Sequence, residues 1–424
     1  MIIKKRLNNG MRIVCEPMEG VRSVSIGVWI GAGSIYEREP ESGVSHFIEH
    51  MLFKGTNKRT ASEIAEQSDA IGGNLNAFTS KECTCFYVKV IDENIQRALE
   101  LLADIVCNPK LDIDDIEREK GVVLEEISMN EDSPEDLAHE QLCQTFFKGD
   151  PLADPVLGTA ESVRAFTRET LTGYMSRLYC PDNMVLSAAG HFDPDEFIAA
   201  AEKYFSVSGG RDGEKIAYGK PAGGVKLRFI EKDIEQTHIC LAFNGFPGES
   251  KGQYPLFVLN NAVGGSMSSR LFQSIRESNG LAYSVYSTPA FFTTTGYFTL
   301  YAGTGEELVV DVAKLMLNEY ARVKRDGITD TELERAKNQL KSSYLLGSES
   351  TSAHASTNGR TELLGVPQLS EAEVLAKIDG VGLSDVAEIL PTVCDFSNMT
   401  AVFVGRVKEY EQELTELVNS FANL

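Results

Sequence analysis

His46, Glu49 and His50 are the residues of this sequence whose types and spacing could together do chemistry. Each residue of a helix advances about 100°, so His50 lies about 40° from His46 and Glu49 about 60° to the other side. The three side chains therefore share one helix face. Two neutral imidazoles can bind a catalytic zinc ion, and a carboxylate beside them can act on water. The order H-x-x-E-H inverts the common H-E-x-x-H motif, and a chance pattern on an amphipathic helix is the alternative.

A catalytic zinc site needs a third protein ligand, and residues 112–130 are predicted to form the helix that supplies it. The apolar residues of this stretch share one broad helix face: Ile113, Ile116, Val122, Val123, Leu124, Ile127 and Met129. Glu119 and Glu126 fall within this face, whereas Glu125 falls outside it. A carboxylate there is rarely buried unless it is paired or binds a metal. We therefore predict Glu126 as the third ligand and Glu119 as a residue that orients a ligand or the water. Two glutamates that reach solvent are the alternative.

The elements that must position these residues can be predicted from hydrophobic periodicity. Strands are predicted at residues 12–15, 24–30, 74–80, 84–90 and 183–190, and helices at 61–71, 93–107 and 194–205. A segment rich in glycine and polar residues predicts an interdomain linker at 208–222. The prediction is thus a zinc-bearing half at 1–207 and a second half at 223–424.

The second half repeats the order of the first but lacks the proposed metal site. When Gly265 is aligned with Gly55, the motif residues His46, Glu49 and His50 correspond to Leu256, Leu259 and Asn260. A second alignment pairs Glu119 and Glu126 with Ala336 and Ser343. These replacements are poorly suited to binding a metal. The sequence therefore predicts two halves of like fold, of which only the first binds the metal.

Composition and charge limit the partners and the location. The chain has 424 residues and a formal net charge of −22, which disfavours nucleic acids and anionic membranes as partners and would suit basic peptides. The N-terminus lacks the apolar stretch of a signal peptide, and no apolar run reaches the length of a membrane span. The eight cysteines are scattered, as is usual for reduced thiols. We therefore expect a cytoplasmic protein.

A stretch of the second half contains two further candidates, Arg276 and Tyr283. A helix that begins near Ser268 places Arg276 near its end, and the Asn279-Gly280 turn then begins a strand that contains Tyr283. Taken by themselves, these residues are better explained as a surface arginine and a half-buried strand tyrosine than as site residues.

Taken together, three motifs closely resemble the pitrilysin family of inverted-motif zinc peptidases. They are the stretch from His46 to Thr56, Glu126 after 75 intervening residues, and Gly280-Leu281-Ala282-Tyr283-Ser284-Val285. The length and the two-half layout look most like the family's short bacterial branch, which is similar to the β subunit of mitochondrial processing peptidase. The resemblance covers the chain from about Leu7 to the last helix.

The resemblance implies a fold and a set of site residues. The fold is α+β, with two homologous α/β-sandwich halves of mainly antiparallel sheet plus helices that form a clamshell over an acidic chamber. His46, His50 and Glu126 would bind Zn²⁺, Glu49 would be the general base and Glu119 a supporting residue. The remaining implied roles are substrate and oxyanion contacts for Arg276 and Tyr283, a substrate pocket for Phe53, and an edge strand for the substrate at Asn76 and Ala77.

The function expected from these residues is a zinc-dependent endopeptidase that hydrolyses short or unfolded peptides through a water activated by Glu49. A non-catalytic binding or assembly subunit of a processing-peptidase-like complex is the alternative, because some relatives of that kind have lost a ligand or the base. A zinc hydrolase of another substrate class is a third possibility. Short members of the family often form homodimers, which suggests a homodimer by analogy.

Overall fold

The computed structural model describes residues 2–205, 208–210 and 216–424, and these residues form two compact units. Over the described residues, the first unit comprises Met1–Ile127, Asp154–Ala217 and Leu346–Gln368, and the second comprises Ser128–Ala153, Tyr218–Leu345 and Leu369–Leu424. Each unit has its own core of buried apolar side chains.

The first part of the chain alternates strands and helices in the following order. The strands are β1 (Ile3–Arg6), β2 (Arg12–Pro17), β3 (Ser23–Ile30), β4 (Asn74–Thr79), β5 (Thr84–Ile91) and β6 (Met184–Gly190). The helices are α1 (Val44–Leu52), α2 (Ala61–Ala70), α3 (Ile95–Cys107), α4 (Ile113–Asp132), α5 (Pro134–Phe146), α6 (Ala160–Ala165), α7 (Arg168–Leu178) and α8 (Pro194–Tyr204). Thr60 caps α2 through a capping box with Glu63.

The second part of the chain repeats this pattern. Its strands are β7 (Lys226–Glu231), β8 (Gln236–Asn244), β9 (Ala282–Phe291), β10 (Gly296–Gly305) and β11 (Thr400–Gly405). Its helices are α9 (Gln253–Val263), α10 (Val309–Asp326), α11 (Asp330–Gly347), α12 (Thr351–Leu364), α13 (Glu371–Gly380), α14 (Leu383–Val393) and α15 (Glu411–Phe421), with a π-helical turn at Phe272–Glu277.

The two sheets have the same topology apart from one extra strand. The strand order is β1-β2-β6-β3-β5-β4 in the first sheet and β7-β11-β8-β10-β9 in the second. Neighbouring strands are antiparallel except for the pairs β2–β6 and β7–β11. The predicted α+β class with two like halves of mainly antiparallel sheet is therefore confirmed. The clamshell concerns the relative placement of the two units and stays a prediction.

The sheet of each unit is covered by one helix that comes from the other half of the chain. Helix α5 covers β8 and β11 in the second unit, and α12 covers β2, β3 and β6 in the first. Strand β3 shows why the first sheet needs this cover. Its residues Val24, Ile26, Val28 and Ile30 point into the main core, whereas Ser25 on the opposite face hydrogen-bonds to Thr351 at 2.9 Å.

The compact units therefore differ from the halves predicted at 1–207 and 223–424. The predicted boundaries followed chain order, whereas segment 128–153 belongs to the second unit and segment 346–368 belongs to the first. Residues 211–215 of the predicted linker lie outside the described residues. Over the part of the chain that is described, no helix has both the length and the apolar character that a bilayer crossing requires. The cytoplasmic location stays a prediction.

Candidate metal centre

Helix α1 is fixed at its N-terminus by the carboxylate of Glu37. This carboxylate accepts hydrogen bonds from the backbone N–H groups of Gly43 (2.7 Å) and Ser45 (2.9 Å), which have no acceptor within the helix. Gly43 has a φ of 88°, a left-handed conformation that favours glycine. The core-facing residues of the helix are Val44, Phe47, Ile48, Met51 and Leu52, all fully buried. The motif residues His46 and Glu49 are left to the opposite side of α1.

Helix α4 buries a narrower apolar face than the sequence predicted. Ile116 and Val123 are buried, but the side chains of Ile113, Val122 and Met129 are exposed. The predicted apolar face was too wide because the first unit covers only part of the helix. Glu119 is nevertheless only 3% exposed.

The two helices bring His46, His50 and Glu126 together. One potential ligand atom from each residue lies within 4.8 Å of the others. Glu126 Oε2 is 3.7 Å from Nε2 of His46 and 3.4 Å from Nε2 of His50. Over the described residues, this is the one group of three or more His, Cys, Asp or Glu side chains close enough to bind an ion together.

These three side chains fit zinc by the chemistry of their donors. Two imidazoles and one carboxylate form a known ligand set for catalytic zinc. Burial, assisted by the neighbouring His50, lowers the pKa of His46 to about 4, so its ring is neutral at pH 7. Burial also opposes protonation of His50, but its hydrogen bond to Glu119 and the charge of Glu126 raise its pKa above the usual value. The carboxylates thus favour a positive charge at this position, which a metal cation can supply.

Glu119 is placed to orient His50, as the sequence predicted for a supporting residue. Its Oε1 is 2.8 Å from Nδ1 of His50, and its Oε2 is 2.6 Å from Nζ of Lys54. Burial alone would raise the pKa of Glu119, but the hydrogen bonds with His50 and Lys54 outweigh burial and lower it. Glu119 is therefore held as a carboxylate behind His50, and its catalytic role stays a prediction.

Glu49 lies on the ligand side of α1 but is not part of the ligand cluster. Its Oε2 accepts a hydrogen bond of 2.5 Å from the hydroxyl of Thr79, the last residue of β4. Burial raises the pKa of Glu49, and the hydrogen bond from Thr79 offsets part of that increase. A carboxylate with a raised pKa beside a metal position is suited to take a proton from water.

The predicted substrate-binding residues lie near the same elements. Phe53 follows α1 directly, and its ring centroid is 6.1 Å from that of Phe86. Asn76 and Ala77 are in β4, an edge strand of the first sheet. The backbone N–H of Ala77 donates to the side-chain oxygen of Asn76 at 2.9 Å. The substrate contacts proposed for these residues stay predictions.

Arg276 and Tyr283 belong to the second unit, where they form a preorganised pair. The guanidinium of Arg276 donates to the backbone carbonyl of Tyr283 at 2.8 Å and lies 4.7 Å from the centre of its ring. The ring of Phe272 lies 4.9 Å away from the same guanidinium. Tyr283 is 75% exposed. Their predicted contact with the substrate stays a prediction.

Sequence reasoning missed Lys54 and Thr79, which hold the two glutamates of the site. Lys54 had a usable signal, because His46, His50 and Lys54 follow one another at intervals of four residues, the spacing of one helix face. Thr79 had no such signal, since its contact with Glu49 depends on where the edge strand packs against α1.

Comparison with known proteins agrees with this geometry. Residues 12–160 match the family Insulinase (Peptidase family M16), and residues 165–340 match the family Peptidase M16 inactive domain. The chain belongs to peptidase family M16, the insulinase family, and the predicted resemblance to inverted-motif zinc peptidases is confirmed. The match to the inactive domain includes Leu256, Leu259 and Asn260, which replace the motif residues of the first half.

Several bacterial relatives align with nearly the whole chain. The zinc protease YmxG of Bacillus subtilis is 44% identical over 392 residues, which cover 91% of this chain and 94% of that protein. A zinc protease of Mycobacterium leprae is 41% identical over 390 residues, covering 91% of this chain and 87% of the relative. A zinc protease of Rickettsia felis is 36% identical over 398 residues, covering 93% and 95%. These relatives carry the description of uncharacterized zinc proteases.

Solved structures share the fold. The peptidase M16 inactive domain from Pseudomonas fluorescens superposes with a TM-score of 0.89 at 21% identity, covering 96% of this chain and 98% of that one. A protease from Helicobacter pylori gives a TM-score of 0.89 at 22% identity, with 95% and 99% covered. At this identity the likeness establishes the two-domain M16 fold alone.

Proposed function

We propose that this chain is a zinc-dependent endopeptidase that hydrolyses short or unfolded peptides. The observation that carries the proposal is the grouping of His46, His50 and Glu126 within 4.8 Å, with Glu49 on the same side of α1. Membership of a peptidase family and the zinc-protease names of the relatives support it.

Glu49 is the proposed general base. When bound, zinc would polarise the scissile carbonyl and lower the pKa of the attacking water. Glu49 takes the proton of that water and later gives it to the leaving amine. The hydrogen bond from Thr79 occupies Oε2 of Glu49 and leaves Oε1 for the water. Burial of Glu49 supports this role because it raises the pKa of the carboxyl and makes the carboxylate a stronger base.

Strand β4 is the proposed binding surface for the peptide backbone. It is an edge strand, so one side of its backbone is open to pairing with an added strand. An extended peptide that pairs with Asn76 and Ala77 would bind mainly through backbone hydrogen bonds, which tolerate many sequences. Most strands of a folded protein are already paired within their own sheets, which is why we propose short or unfolded substrates.

Arg276 and Tyr283 are proposed to donate hydrogen bonds to the substrate backbone and to the oxyanion that forms during attack. Phe53 is proposed to line the pocket for the side chain after the scissile bond. The net charge of −22 favours basic peptides among the possible substrates. We also propose a cytoplasmic location. We further propose that the chain forms a homodimer, and size-exclusion chromatography with light scattering would test this oligomeric state.

The decisive experiment compares the wild type with Glu49→Gln. We expect about one zinc per chain for both proteins by plasma mass spectrometry, because Glu49 is not a ligand. In a peptide-library digest read by mass spectrometry, the wild type should cleave peptides in a chelator-sensitive manner. Glu49→Gln should lose at least about 100-fold of this activity.

Three outcomes would contradict the proposal. Unchanged cleavage by Glu49→Gln would remove Glu49 as the base. A zinc-loaded wild type that cleaves no peptide alone, but does so after a partner subunit is added, would favour the alternative of a binding or assembly subunit. Hydrolysis of a non-peptide ester or amide without peptide cleavage would indicate a different substrate class.

A further inference from the structure

Glu119 is a fully buried carboxylate with a partner on each oxygen. Its Oε1 is bound to Nδ1 of His50 at 2.8 Å, and its Oε2 is bound to Nζ of Lys54 at 2.6 Å. The side chain of Glu119 is 4% exposed. A buried carboxylate is stable only when it is paired and hydrogen-bonded. Lys54 therefore supplies a charged partner for the oxygen of Glu119 that His50 does not use.

The two histidines of the centre are held differently. Nδ1 of His50 is fixed by Glu119, whereas Nδ1 of His46 is buried and has no hydrogen-bond partner among the described residues. The direction of Nε2 in His50 therefore depends on where the carboxylate of Glu119 lies. A carboxylate bound at one oxygen can still rotate, whereas one bound at both oxygens has a fixed plane.

Lys54 reaches Glu119 because of its place in the chain. It lies two residues beyond the end of α1, and its backbone N–H donates to the carbonyl of Met51 at 3.1 Å, which continues the turn of the helix. The side chain therefore follows His46 and His50 along the same face. An ion pair between two exposed side chains contributes little, but this pair is different because Glu119 is shielded from water.

We propose that Lys54 is a positioning residue of the zinc centre, whose ammonium group fixes Glu119 so that Glu119 holds the ring of His50 with Nε2 turned towards the metal. The inference rests on the proposed function in one respect, which is that it takes zinc as the metal bound at this centre. Lys54 does not contact the metal position or the substrate in this scheme, and acts through Glu119 alone.

The first test is the zinc affinity of Lys54→Met, measured by competition with a chromophoric chelator. Loss of a residue that supports a metal ligand lowers metal affinity by about 10- to 100-fold, and we expect an effect in this range. Lys54→Arg should recover most of the affinity, because a guanidinium can also donate to Oε2 of Glu119. Lys58→Met is the matched control, since Lys58 is an exposed lysine of the same loop, and its zinc affinity should equal that of the wild type.

A double-mutant cycle tests whether Lys54 acts through Glu119. Glu119→Gln should lower zinc affinity by itself, and adding Lys54→Met to it should cause little further loss. The double variant also lacks the unpaired buried charge, so it remains available if Lys54→Met alone unfolds. Replacing zinc by Co²⁺ gives a second measurement, because the visible absorption of bound Co²⁺ reports the geometry of its ligands and should change in Lys54→Met but not in Lys58→Met.

The outcomes separate this inference from the proposed function. Zinc binding by Lys54→Met equal to the wild type would overturn the role of Lys54 and leave the zinc centre in place. An equally large effect of Lys54→Met with and without Glu119→Gln would also overturn it, because Lys54 would then act by another route. A wild type that binds no zinc in the same titration would contradict the proposed function itself and the inference with it.

Discussion

Helices α1 and α4 in the first half of the chain correspond to helices α9 and α11 in the second half. The aligned positions carry metal-binding side chains in the first pair and mostly apolar side chains in the second. In α1, the ligand-side residues are His46, Glu49 and His50, and the corresponding residues of α9 are Leu256, Leu259 and Asn260. Leu256 and Leu259 are fully buried in the core of the second unit. Asn260 accepts a hydrogen bond of 2.7 Å from Ser287. The second unit thus uses these positions for packing.

The comparison shows that the fold does not need the metal. The second unit keeps the strand order of the first without any of the proposed ligands. In α11, Ala336 is buried where α4 has Glu119, so no counter-charge such as Lys54 is required there. The polar residues of the first unit each need a partner to be buried, whereas the apolar ones of the second do not. The metal-binding residues are therefore an addition to a fold that the second unit forms without them.

The largest effect is expected from His50→Asn, which places the residue of the second unit in the first. Zinc affinity should fall by more than the roughly 100-fold that loss of a supporting residue costs, since a ligand itself is removed. Peptide cleavage should become undetectable. The metal-free protein should lose only about 1 kcal/mol of unfolding free energy, because Lys54 still pairs with Glu119. Plasma mass spectrometry and urea unfolding of the metal-free protein measure the two effects.

His191→Asn is the control for this prediction. His191 is an exposed histidine of the first unit that bonds to Asp92, and its replacement should leave zinc content unchanged. If His50→Asn unfolded the metal-free protein, the first unit would depend on its site residues for folding. The contrast between the two units would then be wrong.

A second prediction concerns the helices that cover the two sheets, α5 and α12. Counted from the first residue of each helix, Leu142 of α5 corresponds to Gly359 of α12. A Cβ atom at Gly359 would lie 2.1 Å from Nε1 of Trp29, whose ring is buried. Gly359→Ala should therefore lower the free energy of unfolding by about 1–3 kcal/mol, the usual cost of overpacking. Urea unfolding of the metal-free protein measures it.

Gly173→Ala is the matched control, because a Cβ atom at Gly173 in α7 meets no atom within 4 Å. It should stabilise the protein by about 0.5–1 kcal/mol, since alanine is the better helix former. If Gly173→Ala lowered the free energy of unfolding while Gly359→Ala left it unchanged, α12 would not pack on Trp29 as described.

Much of this architecture follows from local sequence signals. The helix with the H-x-x-E-H motif was predictable because its spacing defines a face, and Glu126 could be chosen over Glu125 because only Glu126 shares the apolar side of α4. The repeat was predictable from the flanking pattern that survives around Leu256 and Asn260. Both signals depend on periodicity within one element.

The parts that could not be predicted depend on packing between distant elements. The exchange of α5 and α12 leaves no mark in hydrophobic periodicity, because each helix needs only some apolar face to cover. The exposure of Val122 and Met129 has the same origin, since an apolar side chain does not reveal which neighbour buries it. The role of Thr79 also could not be predicted, because its contact with Glu49 depends on the position of β4 beside α1.

The third prediction tests whether Glu49 needs the hydrogen bond from Thr79. Leu259, at the corresponding position of α9, is apolar and needs no such partner. Thr79→Val keeps the shape of the side chain but removes the hydroxyl that donates to Glu49. We expect kcat to fall about 10-fold, which corresponds to about 1.4 kcal/mol for one hydrogen bond to a charged group. KM and zinc content should change little. Thr79→Ser keeps the hydroxyl and should retain most of the activity. Equal losses in Thr79→Val and Thr79→Ser would assign the effect to the methyl group instead.

The smallest expected effect concerns the starts of α4 and α11, whose third residues are Asp115 and Glu332. Glu332 accepts hydrogen bonds from the guanidinium of Arg270 at 2.7 and 2.8 Å and from the backbone N–H of Thr329 at 2.8 Å. Burial opposes its ionisation, but these hydrogen bonds outweigh burial and lower its pKa to about 2. Asp115 instead pairs with the exposed Arg118.

The pKa of Glu332 sets the direction of a pH effect on stability. Its folded-state pKa lies below the unfolded value of 4.5, so the folded state favours the ionised form. The resulting stabilisation is complete above about pH 4.5 and is lost as the pH falls towards 2. We expect Glu332→Gln to cost about 1 kcal/mol at pH 7, a value reduced by the partial exposure of the pair, and almost nothing near pH 2. Urea unfolding of the metal-free proteins at several pH values measures this difference. Asp115→Asn should change stability by less than Glu332→Gln at pH 7, because its partner Arg118 is exposed to solvent. An effect of Glu332→Gln that persists undiminished at low pH would mean that Glu332 acts through its shape, and the second unit would then have no charged support at this helix start.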